Sequence, residues 1–212
     1  MNLSTQIAQN LQALDFDISA QRNDIHELIH RYLLLIEKWN RIHNLTAIKN
    51  PADMLIQHVM DSLAVIPHIT GPYIVDVGSG AGLPGLPIAL AKPDWQVDLV
   101  ESNQKKASFL QQVRIELALD NVTVFPSRIE EFQVEKTANT IITRAFSNLG
   151  EFIQLTGHLA SHDNAECRWA AMKANCSDTE KAQINAPYYI EAAIALTVPN
   201  LAASRELIII KK

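Results

Sequence analysis

From Pro72 onward, short runs rich in β-branched residues alternate with helical stretches, and the alternation fails only at the last two runs. Tyr73 to Val77, Gln96 to Val100, Val122 to Phe125, Thr140 to Thr143 and Arg168 to Met172 read as strands. Helical stretches separate them, the clearest from Asn103 to Leu119 with Leu110, Val113 and Leu117 on one face. Strands joined through helices must run parallel, because a crossover returns the chain to the same end of the sheet. Tyr189 to Val198 and Glu206 to Ile210 are joined only by Pro199-Asn200 and a few loop residues, so they should pair antiparallel. The expected fold is therefore α/β: a seven-stranded, Rossmann-like sheet closed by a carboxy-terminal antiparallel hairpin. That is the architecture of the seven-stranded methyltransferases.

The first seventy residues have a different texture and read as helices. Between Asn23 and Trp39, Ile25, Leu28, Ile29, Tyr32, Leu33, Ile36 and Trp39 recur at the spacing of one helical face. Asn50-Pro51-Ala52-Asp53 opens a further helix with an N-cap, a first-turn proline and an acid near the N-terminal dipole. This helix carries Leu55, Val59, Leu63 and Ile66 on one side. The division expected is a helical cap over residues 1–70 and a core over 71–212, acting as one compact unit.

Function is written most densely in Asp76-Val77-Gly78-Ser79-Gly80-Ala81-Gly82-Leu83-Pro84-Gly85, at the carboxyl end of the first strand. Ligands of open α/β sheets bind at that end, and glycine lets backbone approach them closely. Gly80, Gly82 and Gly85 satisfy G-x-G-x-x-G, so a nicotinamide dinucleotide has to be weighed. Glu101, ending the second strand, suits a ribose in either case. A pyrophosphate, however, wants unopposed amide donors at a helix start. Asp76 sets an anion beside the loop, which favours a cationic ligand. S-adenosylmethionine, with a sulfonium, an ammonium and no phosphate, fits better, and Gly78, Gly80, Leu83 and Glu101 are its candidate contacts.

The same loop, read as Ile74 through Pro87, resembles the cofactor loop of the ribosomal RNA small subunit methyltransferase G family. So do Trp39-Asn40-Arg41-Ile42-His43-Asn44-Leu45-Thr46, His58-Val59-Met60-Asp61-Ser62-Leu63 and Thr143-Arg144-Ala145-Phe146, and the likeness runs from about Tyr32 to the carboxy terminus. The resemblance implies methyl transfer from S-adenosylmethionine to N7 of a guanine in 16S ribosomal RNA. It also implies cofactor contacts at Gly78, Leu83, Ile129, Glu130 and Arg144. Ile129-Glu130 reads equally as a helix start with a buried isoleucine and a dipole-favoured acid. The chain departs from the family after the fifth strand, where Met172-Lys173-Ala174-Asn175 replaces the usual continuation Lys-Gly and loses the glycine's freedom.

The chemistry after the fourth strand agrees with a ring nitrogen. Thr143-Arg144-Ala145-Phe146 lacks the Asn/Asp-Pro-Pro-aromatic turn used to steer an exocyclic amine. Methylation at pyrimidine C5 needs a cysteine nucleophile, and Cys167 and Cys176 read better as buried structural thiols. Guanine N7 has a free in-plane lone pair, so alignment suffices and no general base is needed. Arg144 is the candidate catalytic residue, acting on cofactor or phosphate. An ion pair with Asp76 or Glu130 is its structural alternative.

Lys and Arg number 18 against 23 Asp and Glu, a net charge of −5, which speaks against a free-standing RNA clamp. A local basic rim around the cofactor cleft is expected instead, from Lys38, Arg41, Lys49, Lys105, Lys106, Arg128, Arg168, Lys173, Arg205, Lys211 and Lys212. Arg41, Asn44, Asp61 and Lys173 are the candidate RNA contacts. Trp39 and Asn44 read equally as a helix-face cap and a turn residue, and Asp61 as a surface ion pair. The seven histidines show no zinc spacing, so no metal is expected. No apolar run reaches membrane-span length, and the first basic residue is Arg22, so neither a membrane span nor a secretory leader is expected. The expectation is a cytoplasmic monomer acting on 16S ribosomal RNA within the small subunit. A small-molecule methyltransferase, a nicotinamide oxidoreductase and a cofactor-binding assembly factor are the alternatives.

Overall fold

The computed structural model describes residues 2–14, 16, 18, 22–134, 136–144, 146–160 and 166–212. Seven strands form one sheet: β1 (Tyr73–Val77), β2 (Gln96–Val100), β3 (Val122–Phe125), β4 (Thr140–Arg144), β5 (Arg168–Lys173), β6 (Tyr189–Ala195) and β7 (Glu206–Lys211). Their order is β3-β2-β1-β4-β5-β7-β6. β1 to β5 pair in parallel, whereas β7 runs antiparallel to both β5 and β6. The expected parallel sheet with an antiparallel hairpin at its end is what forms. Order reverses at β1, where β2 and β4 lie on either side, and this switch point opens a crevice at the strands' carboxyl ends.

Each face of the sheet has its own apolar layer, because successive strand side chains alternate. Ile74, Val97, Leu99, Val122 and Ile142 belong to the first. That layer is continuous with α1 (Leu3–Gln12), α2 (Ile25–His43), α5 (Gly85–Ala91) and α6 (Gln104–Glu116). Val75, Val77, Val100, Ile141 and Trp169 belong to the second, covered by α7 (Leu149–Thr156) and the 3-10 turn Ile129–Glu131. A short helix, α8 (Asp178–Lys181), precedes the hairpin.

Two features of the amino-terminal helices bear on the site. The α2 helix runs four residues past Trp39, to His43, and ends on Asn44 in the left-handed conformation, φ 49°. Asparagine tolerates that conformation because its short amide can bond locally. The next helix starts as read, with Asn50 accepting from the Ala52 amide, and its first segment is α3 (Pro51–Met54). It then widens into a π-helical turn over Leu55–Met60 before closing as α4 (Asp61–Leu63). Leu55, Val59, Leu63 and Ile66 are all buried, as their spacing indicates. A π-turn inside a helix commonly marks a functional position, and this one carries Gln57 and His58.

Candidate active site

The loop after β1 is built by three glycines at positive φ: Gly78 at 69°, Gly80 at 59° and Gly82 at 90°. Its amides are already engaged. Gly78 and Ser79 donate to the Val100 carbonyl, and Gly82 and Leu83 donate to the Ser79 carbonyl. Gly80 donates to Glu101 Oε2 at 2.8 Å, while Glu101 Oε1 accepts from the Asn103 amide at 2.7 Å. Gly85, at the start of α5, donates to Asp76 Oδ2 at 2.9 Å. In a dinucleotide site those donors would face a pyrophosphate. Here buried carboxylates occupy two of them, Gly80 and Gly85, and backbone carbonyls the others, so the loop repels phosphate and suits a ligand carrying positive charge.

Asp76 is fully buried, and its Oδ1 has no hydrogen-bond partner. An orphaned carboxylate oxygen is costly in a low-dielectric interior. Burial accordingly pushes the Asp76 pKa up from 3.8 to about 7, even though the Gly85 amide pulls it down. The site thus holds an acid awaiting a cationic partner, as the cationic end of S-adenosylmethionine would supply. Tyr32 of α2 secures the loop from outside, donating its hydroxyl to the Ala81 carbonyl at 2.7 Å. That brace joins residues 49 positions apart and has no local signature.

The glycines divide by what a side chain would meet. A Cβ on Gly78 would find nothing within 4 Å, whereas on Gly82 it would stand 2.2 Å from Leu86 Cδ1. Gly78→Ala should therefore fold, at a left-handed cost of about 1–2 kcal/mol, yet lose at least tenfold in cofactor affinity by filling the open cradle. Gly82→Ala should instead lose several kcal/mol of stability through overpacking added to the same strain. Thermal melts with equilibrium dialysis separate the two; unchanged cofactor binding by Gly78→Ala would remove that glycine from the cradle.

Beyond the loop, Arg144 leaves β4 and grips one turn of the cap. Its Nη1 donates to the Gln57 carbonyl at 3.0 Å and lies 3.5 Å from Asp61 Oδ2, while Nη2 lies 3.5 Å from His58 Nδ1. Neither Asp76 nor Glu130, the partners considered from the sequence, is bonded to it; Asp61 is. Asp61 is not a surface group but buried, and its other oxygen accepts from Arg205 Nε at 2.9 Å. Burial raises the Asp61 pKa, and Arg205 and then Arg144 oppose that rise. Gln57, His58, Asp61, Arg144, Ala174 and Arg205 face a cavity of about 410 Å³ at the sheet's carboxyl edge.

The other candidates separate clearly. Leu83 is buried in the loop, and Ile129 is buried in the same apolar layer as Val77 and Val100, next to an exposed Glu130. The helix-start reading of Ile129-Glu130 is what the fold shows: a 3-10 turn begins there, with Ile129 buried and two acids in its first turn. Arg41 and Asn44 lie on a separate groove of about 390 Å³ with Asn40, Thr46 and Lys49. Arg41 also pairs with Glu37 at 3.0 Å. Lys173 lines the main cavity, but its ammonium is spent on Glu180 at 2.7 Å and the Phe146 carbonyl at 2.9 Å. Arg168 is likewise bound to Glu191, at the opposite end of β5. Ala145 lies outside the described residues. Both cysteines are buried with thiol pKa values pushed up by burial, to about 12 for Cys167 and about 11 for Cys176, which suits packing and not nucleophilic attack. Among the described residues no three His, Cys, Asp or Glu side chains gather as a metal site. No described helix is long and apolar enough to cross a membrane.

Comparison with known proteins gives consistent results. The family model GidB, rRNA small subunit methyltransferase G, matches residues 25–209. The ribosomal RNA small subunit methyltransferase G of Nitrosomonas europaea is 46% identical over 211 residues, covering 100% of this chain and 98% of that protein. Its counterpart in Nitrosospira multiformis is 49% identical over 216 residues, covering 100% and 99%. Among solved structures, a SAM-dependent methyltransferase from Aquifex aeolicus superposes with a TM-score of 0.54 at 16% identity, covering 75% of this chain and 92% of that one. TYW2 of P. horikoshii, in complex with MeSAdo, superposes with a TM-score of 0.54 at 15% identity, covering 73% and 62%. At such identities these likenesses speak for the fold.

Proposed function

The chain belongs to the ribosomal RNA small subunit methyltransferase G family, and on that premise we propose that it methylates N7 of a guanine in 16S ribosomal RNA. It is an S-adenosylmethionine-dependent ribosomal RNA methyltransferase. The observation carrying the cofactor is the loop whose Gly85 and Gly80 amides are spent on Asp76 and Glu101 while Asp76 Oδ1 stays unpaired. S-adenosylmethionine supplies a sulfonium-activated methyl group. Gly78, Gly80 and Leu83 shape its cradle, Glu101 offers its remaining lone pairs to ribose hydroxyls, and Ile129 with Glu130 borders the adenine end. Arg144 is the catalytic candidate, turned toward the cavity mouth from the end of β4.

N7 is favoured as the acceptor because the cavity holds no group suited to removing a proton. His58 is held neutral but bonded on both ring nitrogens, and Asp61 is tied to two arginines. A ring nitrogen with a free lone pair needs neither, only in-line placement. Residues 1–70 serve as a cap over the 71–212 core, an arrangement supported by the apolar layer they share. Arg41 and Asn44 meet the RNA from the groove at the end of α2. Asp61 acts by holding Arg144 and Arg205, and Lys173 by holding Glu180. The enzyme works as a cytoplasmic monomer on RNA assembled in the small subunit.

Labelled S-adenosylmethionine supplied with unmodified small subunits tests this reading. Label is expected on N7 of a single guanine, recoverable as one modified nucleoside. Label on an exocyclic amine or a ribose would refute the atom, and binding without transfer would leave an assembly factor.

A further inference from the structure

We propose that His58 is a positioning residue for methyl transfer, holding the Arg144 guanidinium in place through Nδ1 while Nε2 is anchored to Thr46 of the loop after α2. The inference rests on the methyltransferase reading above and on Arg144 working at the reacting centre.

The tautomer follows from the partners. A guanidinium only donates, so the nitrogen facing Arg144 must present a lone pair. That nitrogen is Nδ1, 3.5 Å from Arg144 Nη2. In the proposed arrangement the proton sits on Nε2 and is donated to Thr46 Oγ1, 2.8 Å away. Thr46 is fixed in turn: its amide donates to Asn40 Oδ1 at 2.9 Å, and its hydroxyl oxygen accepts from the Ile48 amide at 3.2 Å. Asn40 closes the ring by donating to the Ile48 carbonyl at 3.2 Å. The loop between α2 and α3 is thereby stapled to α2, and it fixes the imidazole through Thr46.

Burial, reinforced by the Arg144 charge and opposed by the Gln57 backbone carbonyl, lowers the His58 pKa to about 4, so the ring is neutral at neutral pH. The other charged groups around this knot are Asp61 and Arg205, paired with each other, and Lys173, paired with Glu180. Three acceptors, Gln57 O and His58 Nδ1 from the widened turn and Asp61 Oδ2 from the start of α4, thus define where the guanidinium lies. Only His58 among them is tied to the loop bordering the groove that carries Arg41 and Asn44.

Asparagine and glutamine divide the two functions of the ring. The Asn amide oxygen stands near the Nδ1 position and keeps an acceptor for Arg144, whereas Gln reaches toward the Nε2 position and keeps the Thr46 bond. Steady-state kinetics on unmodified small subunits, with melting temperatures of each variant, make the test. His58→Asn, which keeps the acceptor but gives up the Thr46 bond, should lose about threefold to fivefold in kcat, as Thr46→Val does. His58→Gln should lose about tenfold in kcat, with the KM for S-adenosylmethionine changed less than twofold. Thr46→Val, which leaves His58 in place but frees it to rotate, should lose about threefold to fivefold. Equal kcat for the Asn and Gln variants, or a kcat that merely follows melting temperature, would overturn the proposal, as would full activity in Thr46→Val. If the unsubstituted chain itself transfers no methyl group, the methyltransferase reading fails instead.

Discussion

Replacing Arg144 by alanine is expected to cut kcat/KM on small ribosomal subunits at least a hundredfold while the chain stays folded. The separation of these effects comes from the way Asp61 is held. A buried carboxylate stripped of its counter-charge is strongly destabilising, by about 3–5 kcal/mol. Asp61, however, keeps its 2.9 Å bond to Arg205 when Arg144 is removed. The stability lost should therefore be nearer 1–2 kcal/mol, which for a chain of this size lowers the melting temperature by only about 2–8 °C. Activity has no such reserve, because Arg144 carries the guanidinium that faces the cavity from β4. Arg144→Lys should recover little, since a single ammonium cannot span the Gln57 carbonyl and Asp61 as a planar fork does. Single-turnover methylation together with a thermal melt decides the matter. Near-normal transfer by Arg144→Ala would take the residue out of the mechanism, and collapse of the fold would make it structural.

How far such a site could be read in advance depended on whether its signals were local. Runs such as Ile74-Val75 and Leu207 to Ile210 state their strand character directly, and the missing helix before β7 declares the antiparallel end. The glycine loop and Asp76 were equally plain, since a tight turn and its acid lie within ten residues. The π-turn at Leu55–Met60 was not, because Leu55, Val59 and Leu63 recur at intervals of four, a spacing that an α-helical turn fits as well as a wider one. The partners of Arg144 were hidden more deeply. Asp61 lies 83 residues away, and nothing at either position distinguishes it from Asp76 or Glu130 as a counter-ion. Lys173 read as a free cation for the same reason. Its partner Glu180 is brought back beside it only by the turn into α8. Charges attract at a distance that sequence spacing does not measure, so composition exposed the basic residues but not which of them were already spent.

Asp76 should release a proton when the cofactor binds, and replacing it by asparagine should make the ligand-free protein more stable but a far weaker binder. Its pKa in the fold is raised from 3.8 to about 7, chiefly by burial. Between those values the unfolded chain is ionised while the native acid holds its proton, so stability falls as pH rises from about 4 to 7. Integrated over that window the loss is about 4 kcal/mol. His58 works in the opposite sense. Its pKa is lowered to about 4, so its contribution rises with pH between about 4 and 6.5. The two slopes overlap, and only the difference between the unsubstituted chain and Asp76→Asn isolates the acid. That difference should grow in favour of Asn as pH approaches 7, because the Asn amide oxygen still accepts from Gly85 without carrying charge. A cation arriving at the cradle reverses the preference by favouring the carboxylate. At pH 7 about half a proton should leave per cofactor bound, seen as a binding enthalpy that changes between buffers of different ionisation enthalpy. Loss of a charge-assisted contact should weaken binding by Asp76→Asn about tenfold to a hundredfold. A buffer-independent enthalpy, or an asparagine variant that binds S-adenosylmethionine as tightly as the unsubstituted enzyme, would show that the unpaired oxygen serves something other than the cofactor's positive charge.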